Sequence, residues 1–298
     1  MADYGRPMQF GVFPTPAADD LETVLAIAHA ADVGGLDLIG VQDHPYQRRF
    51  LDTWVLMAAI LARTEQVRVF PDVANLPLRP PAMMAKAAAS LDVISAGRFE
   101  LGLGAGAFWE AVVAMGGPQR SPGEAAGALV EAIDVIRAMW SDERSVRYAG
   151  RHYQLSGVKP GPKPVHDIGI WLGVGGPRLL GVVGTSANGW VPSLSNAGPD
   201  RLPTMHERID AGAVAAGRDP ADIQRLYNVF GSITDGASGG LLHGPPSQWV
   251  EELSVLATEY GMDSFIFGPA EDPVTQVRRF ADEVAPAVRE VVAKVRRA

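Results

Sequence analysis

The chain has 298 residues, 47% of them hydrophobic and 20% charged, with a net charge of −8 and no cysteine. These values describe a globular protein with a substantial core and exclude a disordered, fibrous or membrane-spanning chain, since the longest apolar run, Trp54 to Ala62, falls far short of the roughly 20 residues that cross a bilayer. Disulfides, thiolate metal sites and cysteine nucleophiles are excluded too, and the acidic balance argues against nucleic acid or an anionic membrane as partner. The amino terminus, MADYGRPMQF, has no apolar signal core, so the cytoplasm is the expected compartment.

In chain order, Met8 to Phe13 predicts a first strand, closed by Pro14 and Pro16. Asp19, with Glu22 three residues on in the capping-box relation, predicts a helix start, and Gly34 and Gly35 end that helix. Leu36 to Val41 is a second strand that delivers Gln42, Asp43 and His44 at its carboxyl end. A helix over Thr53 to Ala62 leads to a third strand, Val67 to Val73, and then to Asn75 and the proline-framed LPLRPP. Ala82 to Ser95 reads as a helix with a small apolar face and Pro81 in its first turn, followed by a fourth strand, Phe99 to Gly104. Ser121, Pro122 and Glu124 supply the cap, first-turn proline and capping-box glutamate of a helix running to about Trp140. From Ser141 to Asp167 the pattern lapses into a polar, proline-rich excursion, read as an insertion with a hairpin around Ala149 and Gly150. Strands over Ile168 to Val174, Gly189 to Val191, Ile223 to Phe230 and Ser264 to Phe267 then alternate with helices over Pro177 to Thr185, Arg201 to Ala216 and Pro246 to Tyr260. A last helix is capped by Asp272 and Pro273.

Eight strands alternating with eight helices and no linker-like break predict an α/β fold. The expected architecture is a single-domain (β/α)8 TIM-type barrel over residues 1–298, with an insertion at about 141–167 between the fourth helix and the fifth strand. A two-domain dinucleotide-binding protein is the alternative, because GRFELGLGAGAFWE at 97–110 is a near miss to the strand, glycine and helix fingerprint. It fails because the stretch lies mid-chain and is followed by Met115, Gly116, Gly117 and Pro118 rather than by one long helix.

A barrel gathers its strand ends at one mouth, where chemistry is expected. His44 beside Asp43 reads either as a general acid or base or as a local cap. Gly175 and Gly176 before a helix starting at Pro177 read either as a phosphate cradle or as a tight connection. Phe108 and Trp109 either wall a ligand or belong to the core of a short helix. No histidine spacing suits a metal, and neither a G-x-S-x-G elbow nor a P-loop is present.

Taken together, VQDH at 41–44, NLPLRPP at 75–81, LDVISAGRFELGLGAG at 91–106, the RSPGE helix start, the YAGRHY hairpin, IWLGVGGPR and ANGW at 187–190 resemble the luciferase-like monooxygenase superfamily, in its branch that uses the deazaflavin coenzyme F420. The resemblance implies hydride transfer between F420 and a small organic substrate, with FMN-dependent monooxygenation as the alternative. It implies a non-prolyl cis peptide between Asp72 and Val73, bulging against the cofactor ring. It also implies a cofactor site of Asp43, His44, Asp72, Val73, Ala74, Asn75, Gly104, Ala105, Gly106, Phe108, Val174, Gly175, Gly176 and Pro177, with His44 catalytic and the strand-four glycines making room for the ring. On the substrate side stand Phe13, Tyr46, Trp109, Glu110 and Trp190. Homodimers are common among such proteins. The sugar-phosphate dehydrogenases of the branch carry a tryptophan four residues after the histidine and a glutamate after a Thr-Gly pair, where this chain has Arg48 and Ala107, with Glu110 the nearest acid.

Overall fold

Parallel pairing starts at β1 (Gln9–Val12), which in the computed structural model lies between β2 (Leu38–Val41) and β12 (Ser264–Pro269). The structure describes residues 3–298. From β2 the sheet continues to β3 (Arg68–Pro71), and from β12 it continues through β10 (Gln224–Ile233), β9 (Gly189–Trp190) and β8 (Ile170–Leu172) to β5 (Leu101–Gly104). A parallel bridge between Val69 and Phe99 joins β3 to the chain entering β5 and closes the barrel. The two-residue β4 (Ala74–Asn75) pairs with β5 above that bridge, so the predicted third strand, Val67 to Val73, is cut back to β3, and a break separates it from β4 just beyond the predicted end.

Helices wrap the outside in chain order: α1 (Leu21–Val33), α2 (Thr53–Leu61), α3 (Pro81–Ser95), the short α4 (Trp109–Ala114), α5 (Pro122–Met139), α6 (Pro177–Ser186), α7 (Leu202–Ala215), α8 (Pro246–Thr258), α9 (Pro273–Arg279) and α10 (Ala285–Val295). The predicted capping box of α5 is formed, with the Ser121 hydroxyl accepting from the Glu124 N–H and the Glu124 carboxylate accepting from the Ser121 N–H. Two expected caps are absent. Asp20, not Asp19, precedes α1 and makes no side-chain cap; Asp19 pairs with Arg49 instead. Asp272 adopts a left-handed conformation (φ 39°) and caps nothing with its side chain. The last helix is also broken by a wide turn over Phe280–Val284, a register change that apolar spacing does not signal.

Two apolar layers result. Inside the barrel, Leu38, Phe70, Trp171, Val191, Leu226 and Ile266 pack together below Phe13 and Val73. Between sheet and helices, the small face read from the sequence of α3 is buried through Ala85, Ala88 and Ala89, which lets that helix sit close. Removing a side chain the size of Phe70 from water contributes about 2–3 kcal/mol, so the inner layer is a solid plug rather than a pore. The excursion after α5 forms an antiparallel hairpin of β6 (Val146–Ala149) and β7 (Gln154–Val158). Asp92 at the end of α3 ties down the return of that excursion: its carboxylate accepts from the Val165 N–H at 2.7 Å and lies 2.6 Å from His166 Nδ1. A short β11 (His243–Gly244) runs beside the end of β10. No helix among the described residues is long and apolar enough to cross a membrane.

Candidate active site

The break in the third strand shapes the mouth. Between the Val69–Phe99 bridge and the Ala74–Leu103 pair, the third strand contains one residue more than its neighbour. A surplus residue in one strand must bulge out of the ladder. It does so at the Asp72–Val73 peptide, which is cis as the resemblance implies.

The side chain of Val73 fills the space left by glycines on two strands. A Cβ on Gly104 or Gly173 would lie 2.8 Å from Val73 Cγ2, and one on Gly102 would lie 3.2 Å from Val73 Cγ1. At Gly104 and Gly173 no methyl fits beside Val73, whereas a Cβ on Gly102 would first meet the Pro71 carbonyl oxygen, at 2.1 Å. The expectation that the strand-four glycines open space for a cofactor ring is therefore corrected: they open space for the bulge, and Val73 in turn forms part of the cavity wall.

Above this floor lies a cavity of about 560 Å³. Of the residues expected there, Phe13, Asp43, His44, Tyr46, Asp72, Val73, Ala74, Asn75, Gly104, Ala105, Gly106, Phe108, Val174 and Gly175 line it. Gly176 and Pro177 sit exposed at its rim, where α6 begins with Gly176 at its cap position and no side chain covering its first N–H groups. Trp109 packs beside Gly106 without lining the cavity, and Glu110 is exposed on α4. Trp190 is fully buried, its indole N–H donating to the Val174 carbonyl at 2.8 Å and its ring edge-on to His206. A tryptophan so satisfied is part of the frame that holds Val174, not a substrate contact.

Asp43 is buried at the end of β2; its Oδ2 accepts from the Asn75 N–H at 2.9 Å, and Arg79 Nε lies 4.0 Å away. Burial pushes its carboxyl above the usual range against those two influences. His44 is half-buried, with Nδ1 2.6 Å from the Tyr46 hydroxyl. Burial lowers the imidazole below its ordinary value and raises the Tyr46 hydroxyl to about 12, so the pair is uncharged at neutral pH. When Tyr46 donates, His44 Nε2 carries the proton. Phe108 stands edge-on to His44 at 5.5 Å and 5.8 Å from Tyr46, which makes a three-ring lip.

Asp72 lies at the floor beside Asn228, and burial pushes its carboxyl up to about 7. Four buried polar atoms around the cavity have no partner within the protein: Asp43 Oδ1, Asp72 Oδ2, Asn75 Oδ1 and Asn228 Oδ1. The residues that carry these atoms line the cavity, although the atoms themselves are shielded from solvent in its wall, so the wall holds polar groups that the protein alone leaves unsatisfied. Asn228, Asn196, Leu179 and Met205 are lining residues that the sequence reading missed. Asn228 carried a signal, as the one amide within the otherwise apolar strand segment LYNVF. The others come from loops and helices whose approach depends on tertiary packing. Among the described residues no group of three metal-ligating side chains comes together.

Comparison with known proteins agrees with this architecture. An F420-dependent glucose-6-phosphate dehydrogenase of Kineococcus radiotolerans is 28% identical over 289 residues, covering 94% of this chain and 81% of that protein. A 5,10-methylenetetrahydromethanopterin reductase of Methanolobus tindarius is 31% identical over 234 residues, 77% of this chain and 67% of that protein. The solved structure of an F420-dependent secondary alcohol dehydrogenase in complex with an F420-acetone adduct shares the fold, with a TM-score of 0.85 over 95% of this chain and 99% of that one at 20% identity. The sequence model of luciferase-like monooxygenases matches residues 7–238, from the approach to β1 to the loop beyond β10. With that much of the barrel matched, the chain belongs to the luciferase-like monooxygenase family and is an enzyme.

Proposed function

We propose that the protein is an F420-dependent oxidoreductase that moves a hydride between the deazaflavin coenzyme and a small organic substrate. The observation that carries this reading is a cavity of about 560 Å³ whose wall combines the polar residues Asp43, Asp72, Asn75 and Asn228 with the apolar Val73 bulge. A deazaflavin offers a flat face and an edge of alternating carbonyl and N–H groups, and such a wall and such a set of acceptors and amides suit both. The names of the Kineococcus and Methanolobus relatives point to two-electron chemistry of the same kind.

Asp43, His44, Asp72, Val73, Ala74, Asn75, Gly104, Ala105 and Gly106 would hold the ring, with Phe108 and Val174 flanking it. The backbone amides at Gly175, Gly176 and the start of α6 after Pro177 would take the phosphate, at the positive end of a ten-residue helix. When bound, the coenzyme supplies hydride donation or acceptance at a ring carbon. The protein supplies the rest. His44, neutral and fixed by Tyr46, holds or takes a proton at Nε2 next to the reacting group, while Phe13 and Tyr46 bound the substrate.

Titrating the purified protein with F420 and, separately, with FMN while following cofactor fluorescence tests this. Micromolar F420 binding tighter than FMN binding is expected. Absence of F420 binding overturns the proposal, and a clear preference for FMN replaces it with flavin-dependent monooxygenation.

A further inference from the structure

Arg79 stands between two carboxyls. It directly follows Leu76–Leu78, and three contacts brace its guanidinium: an ion pair with Asp52, a seat 5.4 Å from the centroid of the Trp54 ring, and an approach of Nε to 4.0 Å from Asp43 Oδ2. Asp52 and Trp54 belong to the start of α2, where Asp52 is the cap. Among the described residues Arg79 is the one cation that close to Asp43. Asp43 in turn reaches across the break in the third strand, since its Oδ2 accepts from the Asn75 N–H of β4 at 2.9 Å.

Resting on the coenzyme reading above for what the wall holds, we propose that Arg79 is a positioning residue: it keeps the Asp43 carboxyl charged, and the charged carboxylate holds Asn75 and the adjoining bulge in the wall given to the deazaflavin ring. A carboxyl with only 1% of its side chain exposed is driven toward its neutral form by lost hydration. A carboxylate accepts from an N–H about twice as strongly as a neutral group does, so the charge on Asp43 is what makes the bond to Asn75 firm. At 4.0 Å the guanidinium lies beyond hydrogen-bond reach of Asp43 and acts through its charge. The other groups around Asp43 do not replace it. The Asp52 carboxylate opposes ionisation, the Trp54 indole N–H favours it but carries no net charge, and burial holds the neighbouring His44 neutral. An opposite charge at this range moves a carboxyl's midpoint down by about 1–3 pH units, and Arg79, partly exposed and shared with Asp52, belongs at the lower end.

The amide resonance of Asn75 reports the state of Asp43 across their hydrogen bond. Its pH midpoint is measured by NMR on the coenzyme-free protein, in wild type and in Arg79→Gln, Arg79→Lys and Asp52→Asn. Arg79→Gln, which removes the charge, is expected to raise the midpoint by about one pH unit or more, and Arg79→Lys to recover most of that shift. Asp52→Asn, which keeps an acceptor at the cap of α2 and removes the competing carboxylate, is expected to lower it. A side chain that only fills space would leave the midpoint where it is. An unchanged midpoint in Arg79→Gln, no recovery with lysine, or a rise in Asp52→Asn overturns the proposal. F420 affinity of wild type and Arg79→Gln is then followed by fluorescence between about pH 5 and about pH 8. The ratio of the two affinities is expected to grow several-fold in favour of wild type as pH falls, any titration of the coenzyme itself cancelling in the ratio. A flat ratio means that the charge on Asp43 does not serve the coenzyme wall, and overturns the proposal. If wild type binds no F420, the coenzyme reading fails by itself, while the Asn75 titration still decides whether Arg79 keeps Asp43 charged.

Discussion

Replacing Asp72 by asparagine should stabilise the protein, and by an amount that depends on pH in a defined direction. The carboxyl is buried at the cavity floor, and its pKa rises from 3.8 to about 7. A carboxyl with a raised folded-state value favours the folded state fully only below its unfolded value, and that contribution is lost as pH rises through the folded value. The cost therefore starts near pH 4, grows by about 1.4 kcal/mol per pH unit and levels off above pH 7, where it reaches about 4 kcal/mol. An asparagine has the same shape and no charge to desolvate. Chemical unfolding of wild type and Asp72→Asn between pH 4 and pH 8 should show nearly equal stability at pH 4 and a variant more stable by about 3–4 kcal/mol at pH 8. A difference that is constant across the range, or a variant less stable at pH 8, would refute the argument and mean that Asp72 is ionised and compensated.

The bulge offers a second test. Gly104→Ala drives a methyl into Val73 and should cost about 1–3 kcal/mol of stability, while adding Val73→Ala should return a good part of it; additive losses in the double-mutant cycle would show that Gly104 is glycine for another reason. His44→Ala should lower kcat by about 100-fold or more once a substrate is in hand, and unchanged turnover would remove His44 from the chemistry.

The alternation of strands and helices was legible in the sequence because each barrel strand is buried on both faces and reads as a short apolar run. The VQDH segment announced Asp43 and His44 at a strand end. What stayed hidden was local competition. Asp19 satisfies a helix-cap pattern yet is drawn away by Arg49, which comes from a different loop. Trp190 satisfies a strand-end pattern but packs in the layer between sheet and helices, its ring against His206 of α7 and its N–H on the Val174 carbonyl. The roles of Gly104 and Gly173 depend on Val73 in the break between β3 and β4, and that of Gly102 on the Pro71 carbonyl; no one-dimensional pattern records those contacts. Asn228 and Met205 reach the cavity from elements distant in sequence and became visible only once the barrel closed.

That closure is uneven. Where most neighbouring strands share a ladder, β3 meets the chain entering β5 through two backbone bonds at one residue, Val69 N–H to the Arg98 carbonyl at 2.9 Å and Glu100 N–H to the Val69 carbonyl at 3.0 Å, with the two-residue β4 above. A seam so thinly bonded has a low free energy of local opening, so its amides should exchange with solvent before those of the β10–β12 ladder. The seam runs directly beneath Val73 and Asn75. A ligand resting on those residues would bridge the two sides of the gap, so that occupancy of the cavity acts as the missing stitch and slows the breathing of the whole barrel.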